Sequence, residues 1–277
     1  MKIYGFSDEA SPSIDGQIRA LKRNGLNGME IRGTDQGNVS SISVAYAKEI
    51  LKKLQDHDLC VWSIGSPIGK IDIEKDDFSK HMDLLRHTLE IANAMECRNL
   101  RMFSFYIPSD KDPSLYRNEV IDRLSLMEEE GRKAGITLCH ENEKGIYGSI
   151  APRCEEILNA VPGLKSIFDP ANYIQCGQDI PAAWNLLGKR TYYMHIKDAL
   201  PDGSVVPAGK GIGCLKDLVR EFVQNGGENV TIEPHLQVFS GLADLEKDKK
   251  TEIPLYAYES GDAAFDAAVN ALKSILP

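Results

Sequence analysis

The sequence predicts a (β/α)8 TIM barrel, a closed ring of eight parallel strands in which each strand is followed by a helix. Short apolar or β-branched runs alternate with longer amphipathic segments along the whole chain, which is typical of repeated strand-helix units. Eight such runs fit in 277 residues at about 35 residues per unit, close to the size of a typical barrel. No linker interrupts the alternation, so we expect a single domain over residues 1–277.

The eight strand candidates are short and end beside polar side chains. In chain order they are KIYGFS from Lys2, GMEIRG from Gly28, LCVWSIG from Leu59, NLRMFSFY from Asn99, ITLCHEN from Ile136, LKSIFD from Leu164, TYYMHIKD from Thr191 and NVTIEPH from Asn229. Because functional groups of a barrel lie at the carboxyl ends of its strands, these polar ends are the expected site.

Helical patterns lie between the strand candidates. They include residues 43–57, 78–95, 115–134, 215–224 and, after the last strand, 263–276. Helix ends are indicated at Asn24-Gly25, Ala134-Gly135 and Asn225-Gly226, because glycine readily adopts the left-handed conformation that closes a helix. Each of these ends leads into the next strand candidate.

A doubly wound open sheet is the alternative fold. Against it, no GxGxxG motif follows the first strand and no P-loop is present, while GKGIG at residues 209–213 is only a weak phosphate signal. The irregular stretch at residues 237–261 is rich in charge. In a barrel we expect it to lie over the mouth and to contribute to substrate selection, and a plain solvated loop is the alternative.

Composition excludes several classes of protein. The formal net charge of −9 disfavours nucleic acid as a partner, and no apolar run is long enough for a membrane helix. The N-terminus lacks a signal-peptide pattern, so we expect a cytoplasmic protein without a membrane partner. Six scattered cysteines with no CxxC pair are expected to be reduced and mostly to pack. A homo-oligomer is compatible with the sequence.

Four residues at the ends of the last four strands are candidate metal ligands: Glu141, Asp169, His195 and Glu233. Their spacings of 28, 26 and 38 residues each match one strand-helix unit. Three carboxylates and one imidazole form a mostly hard ligand set that suits one Mn²⁺, Mg²⁺ or Co²⁺ ion, with Zn²⁺ also compatible. Alternatively, each acidic residue caps the helix that follows its strand.

The motifs around these residues resemble the xylose isomerase-like barrel superfamily of sugar and sugar-phosphate isomerases and epimerases. They are HENEKGIYG at His140, FDPAN at Phe168, MHIKD at Met194 and IEPH at Ile232, and the similarity extends to SPIGK at Ser66 and RMFSFY at Arg101. The resemblance implies that the same four residues hold one divalent ion, and that Glu141 and Glu233 also transfer protons.

Two positions depart from the ketose 3-epimerases of that superfamily. Asn172 stands where they have a substrate-binding histidine, so recognition of sugar hydroxyls must differ. Their arginine after the metal-binding histidine is replaced by Lys197, which either contacts an anionic or carbonyl oxygen or forms a salt bridge. Lys70, Arg32 and Lys210 are further cations within reach of a substrate phosphate or carboxylate. His235 is another candidate substrate contact.

The predicted reaction is abstraction of a proton from a carbon next to a carbonyl, with the metal stabilising the enediolate and Glu141 and Glu233 as acid and base. Two bases on opposite faces would give epimerisation, and one shuttling base would give isomerisation. The alternatives are a metal-dependent dehydratase of the inosose or dehydroshikimate type and a non-catalytic sugar-binding protein. Endonuclease IV chemistry is disfavoured because six histidines, three of them in helical patterns, leave too few zinc ligands.

Overall fold

Eight parallel strands form a closed barrel, as predicted. The structure is a computed structural model that describes residues 1–239 and 258–276. Around the ring the strand order is β1-β8-β7-β6-β5-β4-β3-β2, so strands that follow one another in sequence are paired and β8 closes on β1. The strands are β1 (Lys2–Gly5), β2 (Gly28–Ile31), β3 (Cys60–Ile64), β4 (Asn99–Met102), β5 (Thr137–Glu141), β6 (Lys165–Phe168), β7 (Thr191–Ile196) and β8 (Asn229–Ile232).

Helices surround this ring. They are α1 (Ile14–Asn24), α2 (Val44–Gln55), α3 (Phe78–Ala94), α4 (Arg117–Ala134), α5 (Ala151–Ala160), α6 (Pro170–Gln175), α7 (Ile180–Leu187), α8 (Leu215–Gln224) and α9 (Gly261–Ile275). Two short antiparallel hairpins pair residues 33–34 with 37–38 and residues 198–199 with 205–206. The predicted helix at residues 215–224 has the same bounds in the structure, and the other predicted bounds differ by at most two residues at either end.

Local sequence signals account for the helix ends. Ser43 caps α2 by accepting a hydrogen bond from the backbone N–H of Tyr46, which is why the predicted start at residue 43 is the cap rather than the first helical residue. Gly25 and Gly135 close α1 and α4 with φ of 64° and 71°. The two glycine exits predicted there are confirmed.

The first and last helices are joined by exposed and partly buried polar contacts. Arg23 of α1 forms salt bridges with Asp262 and Asp266 of α9 at 2.6 and 2.8 Å. Asn24 donates a 2.6 Å hydrogen bond to the same Asp266. The two ends of the described chain are therefore held together on the outside of the barrel, beside the β1-β8 closure.

The loops after β3, β4 and β5 are bonded to one another through their backbones. Phe103 N donates to Ile68 O at 2.8 Å, and Ile107 N donates to Gly145 O at 3.0 Å. For this reason the strand predicted from Asn99 ends at Met102: the residues beyond it hydrogen-bond to neighbouring loops instead of continuing the barrel. We call these three connected segments the bonded loops (residues 66–73, 103–107 and 142–147).

The bonded loops depend on a close backbone approach at Gly69. This residue has φ of 88°, and a Cβ atom there would lie 2.0 Å from the carbonyl oxygen of Phe103. Its N–H donates a 2.7 Å hydrogen bond to His81 Nε2 on α3. Only glycine fits both constraints, so the conformation of this loop, which leads directly to Lys70, is fixed by the sequence.

Part of the barrel interior below the polar mouth is apolar. Cys139, Ile167 and Tyr193 form a small buried cluster inside the ring. Side chains two residues apart on a strand share a face, so Glu141 and His195 continue the same inward rows towards the mouth. The alternation within β5 and β7 thus places two candidate ligands at the carboxyl end of the barrel.

Three further predictions concern the chain as a whole. All six cysteines are free, and Cys97, Cys139 and Cys154 are buried. Among the described residues, no helix is long and apolar enough to cross a membrane. The loop expected over the mouth, residues 237–261, lies mostly outside the described residues, so that expectation stays a prediction.

Candidate metal centre

The four predicted metal ligands meet at the carboxyl end of the barrel. Glu141 is the last residue of β5, Asp169 and Glu233 directly follow β6 and β8, and His195 lies near the end of β7. One candidate ligand atom from each residue lies within 4.8 Å of all the others, and all four residues are buried. Four adjacent strands therefore deliver four convergent ligands.

Asp169 serves two purposes at once. Its Oδ1 accepts a 2.9 Å hydrogen bond from Asn172 N and so caps α6. Its Oδ2 faces the other ligands and lies 2.9 Å from Lys197 Nζ. Helix capping, the alternative interpretation of this acidic residue, thus holds for one oxygen and leaves the other for the site.

The ring of His195 is held on both edges. Its Nδ1 lies 2.9 Å from Glu141 Oε1 and 3.6 Å from Glu233 Oε2. Its Nε2 lies 3.1 Å from Glu30 Oε2, and Tyr193 donates a 3.0 Å hydrogen bond to the other oxygen of Glu30. With Nε2 bound to Glu30, Nδ1 is the nitrogen that faces the cluster.

The donor atoms fit a divalent ion. Among the described residues, the buried atoms Glu141 Oε2 and Asp169 Oδ2 have no hydrogen-bond partner, although each lies near a cation. Buried carboxylate oxygens are normally hydrogen-bonded or bound to a metal. Three carboxylates and one imidazole make a mostly hard donor set, so the residues present match the predicted site.

Two cations balance the carboxylates. Arg101 Nη1 lies 3.2 Å from Glu141 Oε2. Lys197 Nζ lies 2.8 Å from Glu233 Oε2, as well as near Asp169. The salt bridge proposed for Lys197 from the sequence is therefore present, and it engages two of the four candidate ligands.

Burial and neighbouring positive charges shift the pKa values of the three clustered carboxylates. Burial opposes ionisation of Glu141, but the charges of His195 and Arg101 hold its pKa below its usual value. Burial likewise opposes ionisation of Glu233, whose pKa is held well below its usual value by Lys197 and other neighbouring groups. Burial raises the pKa of Asp169 to about 7, although Lys197 lowers it. At neutral pH both glutamates are ionised and can accept a proton.

A second cluster shares Glu233. Glu9, Glu233 and His235 also bring candidate ligand atoms within 4.8 Å of one another. Here Arg32 contacts both carboxylates, with Nη2 3.0 Å from Glu9 Oε1 and Nη1 3.1 Å from Glu233 Oε1, and it also pairs with Asp8 at 2.8 Å. The guanidinium already supplies positive charge, so we interpret this cluster as the ion-pair network that holds Glu233 in place.

His235 is placed by an unusual backbone. Its φ is 44°, and its N–H donates a 2.6 Å hydrogen bond to Glu9 Oε2. The buried Nδ1 atom has no hydrogen-bond partner in the part of the chain that the structure describes. Burial lowers the pKa of the ring well below its usual value, so the imidazole is neutral at pH 7. A neutral imidazole can donate or accept a hydrogen bond, which suits contact with a substrate hydroxyl.

A cavity opens above the candidate ligands. The space between its walls is about 410 Å³, counted together with the solvent-open space at its mouth. It is lined by Lys70, Arg101, Glu141, Glu143, Lys144, Asn172, Gln175, Lys197, Val205, Glu233 and His235. The set contains four of the six candidate substrate contacts, which are Lys70, Asn172, Lys197 and His235, and both predicted proton-transfer residues.

Two predicted cations lie elsewhere. Arg32 is buried in its ion pairs and is not among the residues that line the cavity. Lys210 is exposed on the glycine loop. The amides of that loop are already used: Gly209 and Gly211 donate to Asp198 Oδ2 at 2.9 and 3.0 Å, so they hold a side chain rather than a phosphate.

Two residues of the site, Arg101 and Glu30, are not among the residues predicted from the sequence. They lie within the strand candidates that begin at Asn99 and Gly28. Both are charged residues inside otherwise apolar strand runs, NLRMF and GMEI, and both are buried. A charge within a buried strand requires a partner, and that signal could have identified them.

Sequence comparison supports the architecture. A family model described as xylose isomerase-like TIM barrel matches residues 18–247, most of the chain. The chain belongs to the xylose isomerase-like TIM barrel family. A comparison with curated proteins gives no significant match.

Solved structures share this xylose isomerase-like barrel at low identity. The probable 3-DHS dehydratase AsbF from Bacillus anthracis has a TM-score of 0.74 at 18% identity, over 99% of both chains. The IOLI protein with a bound zinc atom has a TM-score of 0.74 at 15% identity, over 99% of this chain and 98% of that one. D-allulose 3-epimerase from Methylomonas sp., in complex with D-allulose, has a TM-score of 0.73 at 18% identity, over 99% and 96%. At these identities the likeness concerns the fold.

In this xylose isomerase-like barrel we expect Glu30→Gln to weaken metal binding about 10- to 100-fold. The amide can still accept a hydrogen bond from His195 Nε2, so the ring stays in place, but the carboxylate charge that makes the imidazole a stronger ligand is lost. The dissociation constant for Mn²⁺ can be measured from the EPR signal of the free ion. Glu49→Gln, on the exposed face of α2, is the matched control. Unchanged Mn²⁺ affinity in a folded Glu30→Gln protein would contradict the role of Glu30.

Proposed function

We propose that this protein is a divalent metal-dependent enzyme that moves a proton at a carbon next to a carbonyl group. By this step it isomerises or epimerises a small sugar, a sugar phosphate or a related hydroxy-carbonyl compound. One observation carries the proposal: Glu141 and Glu233 belong to the convergent ligand set and also line the cavity. Sugar binding alone does not require converging buried carboxylates, which are costly to desolvate.

Glu141, Asp169, His195 and Glu233 would hold the ion. Their hard donor set favours Mn²⁺, Mg²⁺ or Co²⁺, and Zn²⁺ is compatible. When bound, the ion supplies Lewis-acid stabilisation of the negative charge that develops on substrate oxygens.

The side chains of the cavity would handle the proton and orient the substrate. Glu141 and Glu233 are ionised at neutral pH, so either can accept a proton from a carbon placed between them. Lys197, whose ammonium lies 2.8 Å from Glu233 Oε2, would neutralise charge on a substrate oxygen. Asn172 and His235 offer hydrogen-bonding groups to hydroxyls. If both glutamates act, the product is an epimer, and if one acts on two adjacent carbons, it is an isomer.

Dehydration is the second candidate function. The same proton abstraction followed by departure of a β-hydroxyl would make the enzyme a dehydratase. The barrel is as similar to the probable 3-DHS dehydratase as to D-allulose 3-epimerase, each at 18% identity. The neutral ring of His235 also lines the cavity, where it can bind the departing hydroxyl.

The deciding experiment is hydrogen exchange. We expect the Mn²⁺-loaded protein in D₂O to incorporate deuterium next to the carbonyl of at least one ketose, ketose phosphate or inosose, and a chelator to abolish incorporation. NMR of the recovered compound locates the deuterium. Mass spectrometry separates the two functions, because a dehydratase product lacks one water. No exchange in any of these compounds with metal-loaded, folded protein would contradict the proposal.

A further inference from the structure

We propose that two buried asparagines, Asn142 and Asn172, are positioning residues that set the separation of two candidate metal ligands, Glu141 and Asp169, before an ion binds. We call the pair the asparagine clasp (Asn142 and Asn172). This inference rests on the proposed function, because it concerns the same metal centre and one of its proton-transfer carboxylates. It is carried by a connected set of hydrogen bonds between the ends of β5 and β6.

The side chain of Asn142 takes over where the pairing of the two strands stops. The parallel ladder between β5 and β6 ends with Glu141 opposite Ile167. One residue further on, Asn142 Nδ2 donates a 2.9 Å hydrogen bond to Asp169 O, and Asp169 N donates a 3.0 Å hydrogen bond to Asn142 Oδ1. The carboxamide thus bonds both backbone groups of Asp169, as the backbone of a neighbouring strand would. The backbone of Asp169 is thereby fixed against the end of β5.

Asn172 closes the clasp from α6. It is the third residue of that helix, and its Nδ2 donates to Asn142 O at 2.9 Å and to Glu141 Oε1 at 3.3 Å. A carbonyl oxygen and a carboxylate oxygen only accept hydrogen bonds, so the amide nitrogen must face them and both of its hydrogens are used. The amide oxygen is the group that Asn172 can present to the cavity that it lines. The carboxylate of Glu141 is therefore held by a side-chain donor.

The clasp engages one oxygen of each carboxylate. Asn172 bonds Glu141 Oε1 through its side chain and Asp169 Oδ1 through its backbone N–H. Within the described ranges, the buried atoms Glu141 Oε2 and Asp169 Oδ2 have no hydrogen-bond partner. Each carboxylate thus has one oxygen that fixes its orientation and one that is left for an ion.

Burial increases the value of this fixation. Asn142, Asn172, Glu141 and Asp169 are each at most 3% exposed. Two carboxylates close together in a buried site repel each other, so without neighbours to hold them they would turn apart before the ion binds. Neutral amides hold them without adding a charge that competes with the ion. A pair of ligands that is already in position loses less conformational freedom on binding.

The test is the Mn²⁺ affinity of clasp variants, measured from the EPR signal of the free ion. We expect Asn142→Ala and Asn172→Ala each to raise the dissociation constant about 10- to 100-fold, the usual effect of removing a group that orients a metal ligand. The Asn172→Ala variant retains the backbone N–H that bonds Asp169 Oδ1, so the cap of α6 is kept. Asn270→Ala, at an exposed position of α9, is the matched control and should leave the affinity unchanged.

A second measurement separates ligand orientation from loss of folded protein. The EPR spectrum of the bound ion, recorded at saturating Mn²⁺, depends on the arrangement of its ligands. Its fine structure should differ from that of the native protein in both alanine variants, whereas a variant that had only lost stability would show the native spectrum. A native affinity or a native spectrum in either folded alanine variant would overturn the proposal.

Conservative variants guard against misfolding. Asn142→Ser and Asn172→Ser each retain a hydroxyl that can form one hydrogen bond, so their Mn²⁺ affinities should lie between those of the native protein and the alanine variants. They replace any alanine variant that does not fold, and a native affinity in them would then overturn the proposal.

The two proposals fail separately. Deuterium exchange by the native protein, together with native Mn²⁺ binding in the clasp variants, would leave the proposed function standing and refute the clasp. Weakened and altered Mn²⁺ binding in the variants, without exchange in any compound by the native protein, would support the clasp and refute the proposed reaction.

Discussion

Replacing Glu141 or Glu233 with Gln is expected to reduce turnover about 10²- to 10⁴-fold, the usual effect of removing a general base. Both carboxylates line the cavity and belong to the candidate ligand set. The amide keeps one oxygen towards the ion but cannot take up a proton. Chemistry should therefore fail before metal binding does. Turnover and Mn²⁺ affinity are measured on the same preparations, with Glu49→Gln as the exposed control.

Deuterium incorporation into recovered substrate then separates the mechanisms. In an epimerase, each single variant should still exchange the hydrogen that faces its remaining carboxylate, while completed turnover is lost in both. In a one-base isomerase, one variant should lose exchange entirely and the other should keep turnover at a reduced rate. Full activity in both variants would show that neither glutamate is the base, and Lys197 and His235 would become the candidates.

Loss of a metal ligand should abolish tight metal binding without unfolding the barrel. We expect about one divalent ion per chain in the native protein after dialysis, and none in His195→Ala or Asp169→Ala. Asp169 also caps α6 through Oδ1. Asp169→Asn keeps an oxygen for the cap and removes only the charge, so it is the sharper variant. The control is His57→Ala, which replaces an exposed histidine just after α2.

The stability of the folded protein should also depend on this ion. An ion that binds only the folded state stabilises it by about 2.7 kcal/mol at a hundredfold excess over its dissociation constant. The melting temperature of the native protein should thus rise with added Mn²⁺, and that of the ligand variants should not. The candidate metal centre would be contradicted if the native protein and the ligand variants had equal metal content and equal increases in melting temperature with Mn²⁺.

Metal binding should also weaken as the pH falls. Burial raises the pKa of Asp169 to about 7 in the metal-free site, so below that pH a proton occupies the carboxylate that the ion needs. The dissociation constant for Mn²⁺ should be larger at pH 6 than at pH 8. Equal dissociation constants at pH 6 and pH 8 would contradict this expectation.

Sequence was sufficient for the barrel because its strands are short apolar runs between clear helix ends. The sequence was less reliable where tertiary contacts decide the end of a strand. At Met102, β4 ends because the next residues hydrogen-bond to neighbouring loops. The four candidate ligands could be found because the carboxyl ends of parallel strands meet in one place. Their convergence within 4.8 Å agrees with that reasoning.

The partners of those ligands could not be predicted. Glu30 lies 165 positions before His195, and Arg32 lies 201 positions before Glu233, so nothing local in the sequence connects them. Helix capping and metal binding are alternatives for an acidic residue when only the sequence is known. In the structure, Asp169 caps α6 with Oδ1, and its Oδ2 faces the other candidate ligands. The glycine loop gave a weak phosphate signal, and only the structure shows its amides turned to Asp198.

The bonded loops limit how this protein can be changed by evolution or by an engineer. Because Phe103 and Ile107 are hydrogen-bonded to two different neighbouring loops, inserting or deleting a residue in the middle loop, residues 103–107, would break backbone bonds to both neighbours. On this side of the mouth, new specificity is accessible through single side-chain replacements at positions such as Lys70 and Lys144. Variation in loop length, the usual route to new activities in barrels, must occur elsewhere around the ring.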